Sequence, residues 1–80
     1  MILFEDSILL REGLVRLFAE AGFETAGAFV DAEDVVARTR DAGAQVAVLD
    51  VRMPPTFRDE GIRAALALRA ALPEVGVLVL

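Results

Sequence analysis

The sequence predicts one α/β domain, in which a parallel sheet carries helices on both faces. Short apolar segments alternate with amphipathic ones along all 80 residues. No linker rich in Ser, Gly or Pro, no low-complexity tract and no repeat divides them. A chain of this length can bury one hydrophobic core. The resulting order β-α-β-α-β-α-β implies right-handed crossovers between parallel strands.

The first strand and the first helix are predicted on either side of an acidic pair. Residues 1–4 (MILF) form an unbroken apolar run, typical of a strand buried on both faces, and the run stops at Glu5 and Asp6. Ser7 is expected to cap the following helix, since no base is present to activate it as a nucleophile. Gly22 ends that helix. Its predicted buried face consists of Leu10, Leu14, Leu17, Phe18 and Ala21.

The second strand and helix have a weaker pattern. Residues 23–29 (FETAGAF) alternate loosely and contain two aromatic residues, which favours a strand. Asp31 is the predicted N-cap of the second helix, and Asp34 is placed to favour the positive end of that helix. The helix is expected to end at Gly43.

The third strand has the clearest pattern in the chain. Residues 46–49 (VAVL) are uniformly apolar and are followed by Asp50, as in a central parallel strand. Pro54 and Pro55 then break regular structure. A third helix is predicted from Arg63 to Leu72, before Pro73, and the final VGVLVL is predicted to be a fourth buried strand. The expected buried stripe of the third helix is Ile62, Ala65, Leu66 and Leu72.

A flavodoxin-like strand order of 2-1-3-4 would place three acidic residues together. Ligands of such sheets gather at the carboxyl ends of the strands, where Glu5, Asp6 and Asp50 stand. Carboxylates this close repel one another unless a cation joins them, and a set of oxygen ligands suits Mg²⁺. With the ion bound, Asp50 could attack phosphorus and form an aspartyl phosphate.

Composition excludes several classes of function. The chain has no Cys and no His, so any metal must be held by oxygen atoms. The net charge of -5 argues against a nucleic-acid partner for these residues. The apolar runs are far shorter than the roughly 20 residues that span a bilayer, and no secretory signal opens the chain. We therefore expect a soluble, cytoplasmic protein without a membrane partner.

These residues resemble the receiver domains of two-component response regulators, the CheY-like fold. Glu5-Asp6 is similar to the acidic pair of the family, Asp50 to its phosphoacceptor, and Asp50-Val51-Arg52-Met53-Pro54 to its Asp-x-x-Met-Pro turn. The resemblance implies that a sensor histidine kinase phosphorylates Asp50 in a Mg²⁺-dependent reaction that switches an output surface. It also implies that Arg52 supplies a backbone carbonyl to the metal. Such a domain is not an enzyme, although it assists its own phosphorylation and dephosphorylation.

Two further segments resemble the NarL/LuxR-type subgroup of receivers: Leu10-Arg11-Glu12-Gly13-Leu14 and the loop from Pro54 to Gly61. Members of that subgroup usually carry a C-terminal DNA-binding helix-turn-helix, which implies transcription control through a domain outside these residues. Receivers also have a Ser or Thr after strand four and a Lys after strand five. The sequence contains no Lys and ends at Leu80. We therefore expect residues 1–80 to be a receiver domain incomplete at its C-terminus, lacking the fifth strand and the last two helices.

Two other functions compete with phosphoryl acceptance. One is a phosphorylation-independent interaction module of the same fold, with the fourth strand or the first helix forming a homodimer or a strand-swapped oligomer. The other is a Mg²⁺-dependent phosphohydrolase with an aspartate nucleophile. It ranks last, because Arg52 stands where its second catalytic acid is expected. A nucleoside triphosphatase is excluded, since the chain has no phosphate-binding loop of the G-x-x-x-x-G-K-[ST] type.

Overall fold

A computed structural model describes residues 1–80 as a four-stranded parallel sheet with three helices. The strands lie side by side in the order β2-β1-β3-β4, as predicted. None of the helices is long and apolar enough to cross a membrane. The elements are β1 (Ile2–Phe4), α1 (Ile8–Glu20), β2 (Gly27–Phe29), α2 (Val35–Ala42), β3 (Val46–Leu49), α3 (Glu60–Ala71) and β4 (Gly76–Val79).

The two central strands, β1 and β3, form the base of the hydrophobic core. Their side chains alternate between the two faces of the sheet. On one face the core cluster joins the strands to α2, α3 and the turn after β3. On the other face, Leu3 and Val48 are buried on the side of α1. The buried members of the cluster are Ile2, Phe4, Val35, Ala47, Leu49, Met53, Ala64 and Leu68.

Helix α1 begins and ends as predicted, but it packs on a different face. The Ser7 hydroxyl accepts a hydrogen bond from Leu10 N at 3.3 Å, and Gly22 follows the helix with φ of 94°. No residue of α1 is buried. The predicted stripe is wrong for Leu10, Leu17 and Ala21, which are exposed. Apolar residues occur around most of this helix, so their spacing could not fix which row faces the sheet. The half-buried row is Arg11, Leu14, Val15 and Phe18.

The second strand and the second helix are shorter than predicted. Strand β2 covers only the end of the expected segment, and Phe23 packs edge-on against Phe18 instead, with ring centroids 6.0 Å apart. Asp31 is not the N-cap of α2. Its carboxylate accepts a bond from Glu33 N at 3.0 Å and pairs with Arg38 at 3.0 Å, which forms a turn before the helix. Asp34 takes the cap position without a side-chain bond.

The C-terminal half contains two further corrections. Helix α3 begins at Glu60, three residues earlier than predicted, and buries Gly61, Ala64 and Leu68. Ile62 and Leu66, expected inside, are 47% and 65% exposed, because the helix approaches the sheet through its small residues. Strand β4 lies at the edge of the sheet and is covered on one face only. Leu78 on its other face is therefore exposed rather than buried. Ala65 and Leu72 of the predicted stripe are half-buried against the core.

Candidate metal centre

Glu5, Asp6 and Asp50 lie together at the carboxyl ends of β1 and β3. The register pairs Phe4 with Leu49, so the residues that follow each strand are neighbours. The backbone continues this pairing, since Asp50 N donates to Phe4 O at 3.0 Å. One carboxylate oxygen from each of the three acids lies within 4.8 Å of the others. The convergence predicted from the strand order is present.

Glu5 is the buried member of this acidic cluster, with 3% of its surface exposed. Its carboxylate accepts a bond from Ser7 N at 3.2 Å, next to the start of α1. The pKa of Glu5 is raised to about 7, chiefly by burial; the bond from Ser7 N lowers it, and the nearby Asp50 and Asp6 raise it. Ionised Glu5 is therefore unfavourable in this position without a positive charge beside it.

No protein cation neutralises the acidic cluster. The nearest guanidinium with a defined contact is that of Arg11, which donates to the backbone carbonyl of Glu5 at 3.1 Å rather than to a carboxylate. The two ion pairs of the chain lie elsewhere, between Arg38 and Asp31 and between Arg63 and Asp59. A set of uncompensated carboxylate oxygens is the donor chemistry that Mg²⁺ prefers. The residues present fit this ion.

The turn after β3 holds Asp50 in place. Its carboxylate accepts a bond from Arg52 N at 3.3 Å. Val51 N donates to Leu80 O at 3.0 Å, and Val51 O accepts from Gly61 N at 3.0 Å, so both backbone groups of the residue after Asp50 are hydrogen-bonded. Met53 is fully buried and anchors the turn in the core. The predicted role of the Arg52 carbonyl as a metal ligand stays a prediction, although its peptide lies beside the cluster.

The rest of the loop between β3 and α3 is organised by Glu60. Its carboxylate accepts bonds from Thr56 N and from the Thr56 hydroxyl, each at 2.6 Å, and from Arg58 N at 3.1 Å. The Thr56 hydroxyl is the main reason that the pKa of Glu60 is lowered to about 2. This acid lies in the first turn of α3 and outside the acidic cluster.

Two residues next to the acidic cluster were missed at the level of sequence. Arg11 is not among the residues of the predicted buried face of α1, and no pattern in the sequence shows that its side chain turns back to the end of β1. Gly61 was treated as part of a loop. A glycine inside the first turn of a helix is unfavourable, which was a signal that a close contact requires it.

The fold is similar to one already solved, although sequence comparisons find no relative. No model of a known protein family matches the chain, and no curated protein matches it. The chain is similar to the crystal structure of anti-anti-sigma factor PhyR from Bartonella quintana, with a TM-score of 0.82 and 14% sequence identity. The match covers 98% of this chain and 31% of that one. The chain therefore has a receiver-like fold, and nothing in the comparison favours the NarL/LuxR-type subgroup.

Proposed function

We propose that this chain is a signalling receiver domain that accepts a phosphoryl group on Asp50. The convergence of Glu5, Asp6 and Asp50 within 4.8 Å, at the strand ends of a receiver-like sheet, carries the proposal. Acidic clusters are common on protein surfaces. This one differs because it includes a buried glutamate and no neutralising Arg, in the region of the sheet where ligands of this fold class bind.

The reaction requires one nucleophile, and Asp50 is the acid best held for it. A carboxylate oxygen of Asp50 attacks the phosphorus of a phosphohistidine, a new O–P bond forms, and the P–N bond to the donor imidazole breaks with its electron pair on nitrogen. Water later cleaves the aspartyl phosphate and releases inorganic phosphate. The Arg52 N–H and the hydrogen-bonded backbone of Val51 orient the attacking carboxylate.

Mg²⁺ would be held by the carboxylates of Glu5, Asp6 and Asp50, together with the backbone carbonyl of Arg52. The ion supplies charge neutralisation for the transferred group when it is bound. Ser7 N and the Arg11 guanidinium keep Glu5 and the end of β1 in position. The arrangement supports assistance to phosphorylation and dephosphorylation of the same residue, with no separate substrate turned over.

The partner we propose is a sensor histidine kinase, and the output is control of transcription. The name of the solved neighbour refers to sigma factors, which supports a link to transcription for a domain of this fold. The chain spans 31% of that protein, so an output domain would lie outside the residues described. A DNA-binding output of the NarL/LuxR type is the finer proposal, and it depends on the two segments that resemble that subgroup.

Titration of the purified chain with Mg²⁺, followed by the phosphoryl mimic beryllofluoride, tests the proposal. We expect saturable amide shifts around Glu5, Asp6 and Asp50. Asp50→Asn should abolish the beryllofluoride response, because the mimic binds to the carboxylate oxygen. Asp41→Asn is the matched control: it removes an exposed acid from α2 and should respond as the wild type does. A folded wild-type protein that responds to neither reagent would refute phosphoryl acceptance.

One observation favours a second function, the phosphorylation-independent interaction module. Leu17 of α1, Leu78 of β4 and Leu80 after it are 59%, 46% and 52% exposed. The edge of β4 also contains no charged residue or proline to discourage pairing. Under this alternative the chain forms a dimer whose concentration dependence, measured by sedimentation, is unchanged by beryllofluoride and lost in Leu78→Lys.

A further inference from the structure

The close contact between Gly61 and the backbone of the proposed phosphoacceptor is the feature that the proposed function does not explain. Gly61 is buried in the first turn of α3. A Cβ at this position would overlap the carbonyl oxygen of Asp50 and would lie 2.7 Å from its carbonyl carbon and 2.8 Å from Val51 Cα. Real Cβ atoms do not come this close to backbone atoms, so any side chain here must displace the helix or the strand end.

The lack of space for a side chain explains why residue 61 is a glycine, since its backbone conformation does not require one. Gly61 has no positive φ, unlike Gly22 and Gly43, whose φ angles are 94° and 63°. An ordinary residue could adopt the Gly61 backbone, and glycine weakens a helix. Gly61 N also donates to Val51 O at 3.0 Å, so a hydrogen bond joins the first turn of α3 to the turn after β3.

Helix α3 cannot easily retreat from this contact. Farther along the helix, Ala64 and Leu68 are buried in the core, with 6% and 0% of their surfaces exposed. Backing away would open the packing against β3 and α2. The strand end is the alternative, and it carries Asp50. Moving that end would disturb the bonds from Asp50 N to Phe4 O and from Val51 N to Leu80 O, both 3.0 Å long.

From this geometry we infer that Gly61 is a positioning residue, whose missing side chain lets the first turn of α3 fix the Asp50 carboxylate beside Glu5 and Asp6. The backbone of Asp50 and its neighbour Val51 is held by β1, by the residue after β4 and by α3, and Gly61 provides the last of these contacts. That Gly61 assists phosphoryl acceptance rests on the proposed function. That Gly61 fixes the geometry of the three carboxylates does not depend on it.

The test compares Gly61→Ala with two control variants in the full chain. Gly13→Ala adds a methyl group to α1 where nothing lies within 4 Å. Leu68→Ala destabilises the same helix through the hydrophobic core and leaves Gly61 in place. We expect Gly61→Ala to weaken Mg²⁺ and beryllofluoride binding at least 10-fold. Gly13→Ala and folded Leu68→Ala should bind both as the wild type does. Equal weakening in Leu68→Ala would show that only helix stability matters and would overturn the inference.

A crystal structure of Gly61→Ala and hydrogen exchange of the wild type test the same inference in two further ways. In a metal-free crystal structure of Gly61→Ala, the Asp50 carboxylate should have moved away from those of Glu5 and Asp6, so that the three no longer lie within 4.8 Å of one another. An unchanged cluster would overturn the inference, whether or not the wild type binds Mg²⁺. If Gly61→Ala does not fold, hydrogen exchange of the wild type replaces both comparisons: the Gly61 amide should slow at least 10-fold on saturation with Mg²⁺ and beryllofluoride. An unchanged rate in a protein that binds both would exclude the coupling, whereas a wild type that binds neither would refute the proposed function alone.

Discussion

The two faces of the sheet differ in how completely their helices cover them. On the face of α2 and α3, six residues of the core cluster have 0% exposure, among them Phe4, Leu49 and Leu68. On the opposite face, Leu3 and Val48 are buried, yet α1 buries none of its own residues. One face of the sheet is therefore fully covered by α2 and α3, and the other is only partly covered by α1.

The starts of α1 and α3 also differ, in the surroundings of one glutamate each. Glu5 precedes α1, is buried beside Asp50, and has its pKa raised to about 7 chiefly by burial. Glu60 begins α3, accepts three hydrogen bonds from its loop, and has its pKa lowered to about 2 chiefly by the Thr56 hydroxyl. The α1 side is thus the part where a buried charge is tolerated at a cost to stability, as expected of a site that binds a cation.

The largest effect expected from the comparison is on global stability. Leu68→Ala removes a side chain with 0% exposure from the closed core and should lower the free energy of unfolding by about 3 kcal/mol, the usual cost of such a cavity. Leu17→Ala, on α1, truncates a side chain that is 59% exposed and should change the free energy of unfolding by less than about 0.5 kcal/mol. Urea unfolding followed by circular dichroism measures both. Similar losses in the two variants would show that α1 is packed in solution against something the chain itself provides.

The sequence predicted the sheet better than the helices, and this comparison explains why. VAVL is apolar without interruption and ends at an acid, so β3 was predicted at its observed bounds. The strand order then brought Asp50 to Glu5 and Asp6, because carboxyl ends of parallel strands share one edge of the sheet.

The buried face of each helix could not be predicted as reliably as the strands. In α1, Leu10 and Leu17 follow helical spacing as well as Leu14 does, although the structure turns the row of Leu14 inward and leaves Leu10 and Leu17 exposed. In α3 the core is reached through Gly61 and Ala64, whereas sequence reasoning favoured the larger Ile62 and Leu66. The start of α2 was misplaced because the Asp31 carboxylate bonds to Glu33 N and Arg38, a pattern that local sequence does not distinguish from a cap.

The second prediction concerns the buried charge beside α1. A carboxyl group whose folded pKa is raised keeps its proton where the unfolded chain has lost it. In metal-free buffer, stability should therefore fall as pH rises from about 4.5 through about 7, and level off once Glu5 is ionised in the folded state. Glu5→Gln carries no ionisable group at this position, so its unfolding free energy should depend less on pH across that window. Urea unfolding at several pH values gives both curves.

Addition of Mg²⁺ sharpens this result. An ion that binds the folded acidic cluster stabilises the folded state by mass action, and it favours the ionised form of Glu5. The wild type should regain stability near pH 8 with Mg²⁺, whereas Glu5→Gln should regain less. Parallel pH curves for the two proteins in metal-free buffer would mean that Glu5 ionises without the cost assigned to its burial.

The smallest expected effect lies at the start of α3 and has the opposite sign. Because the folded pKa of Glu60 is lowered from 4.5 to about 2, the stabilisation from its ionised carboxylate is fully present above pH 4.5 and is lost as pH falls towards 2. The amides of Thr56 and Arg58, which donate to this carboxylate, should titrate with a midpoint near 2. Glu60→Gln should abolish that titration, and Glu74→Gln, an exposed acid beyond α3, should leave it unchanged. If the chemical shifts of these amides do not change between pH 5 and pH 2, the loop between β3 and α3 is held by its buried Met53 and not by Glu60. The two helix starts would then differ only through the burial of Glu5.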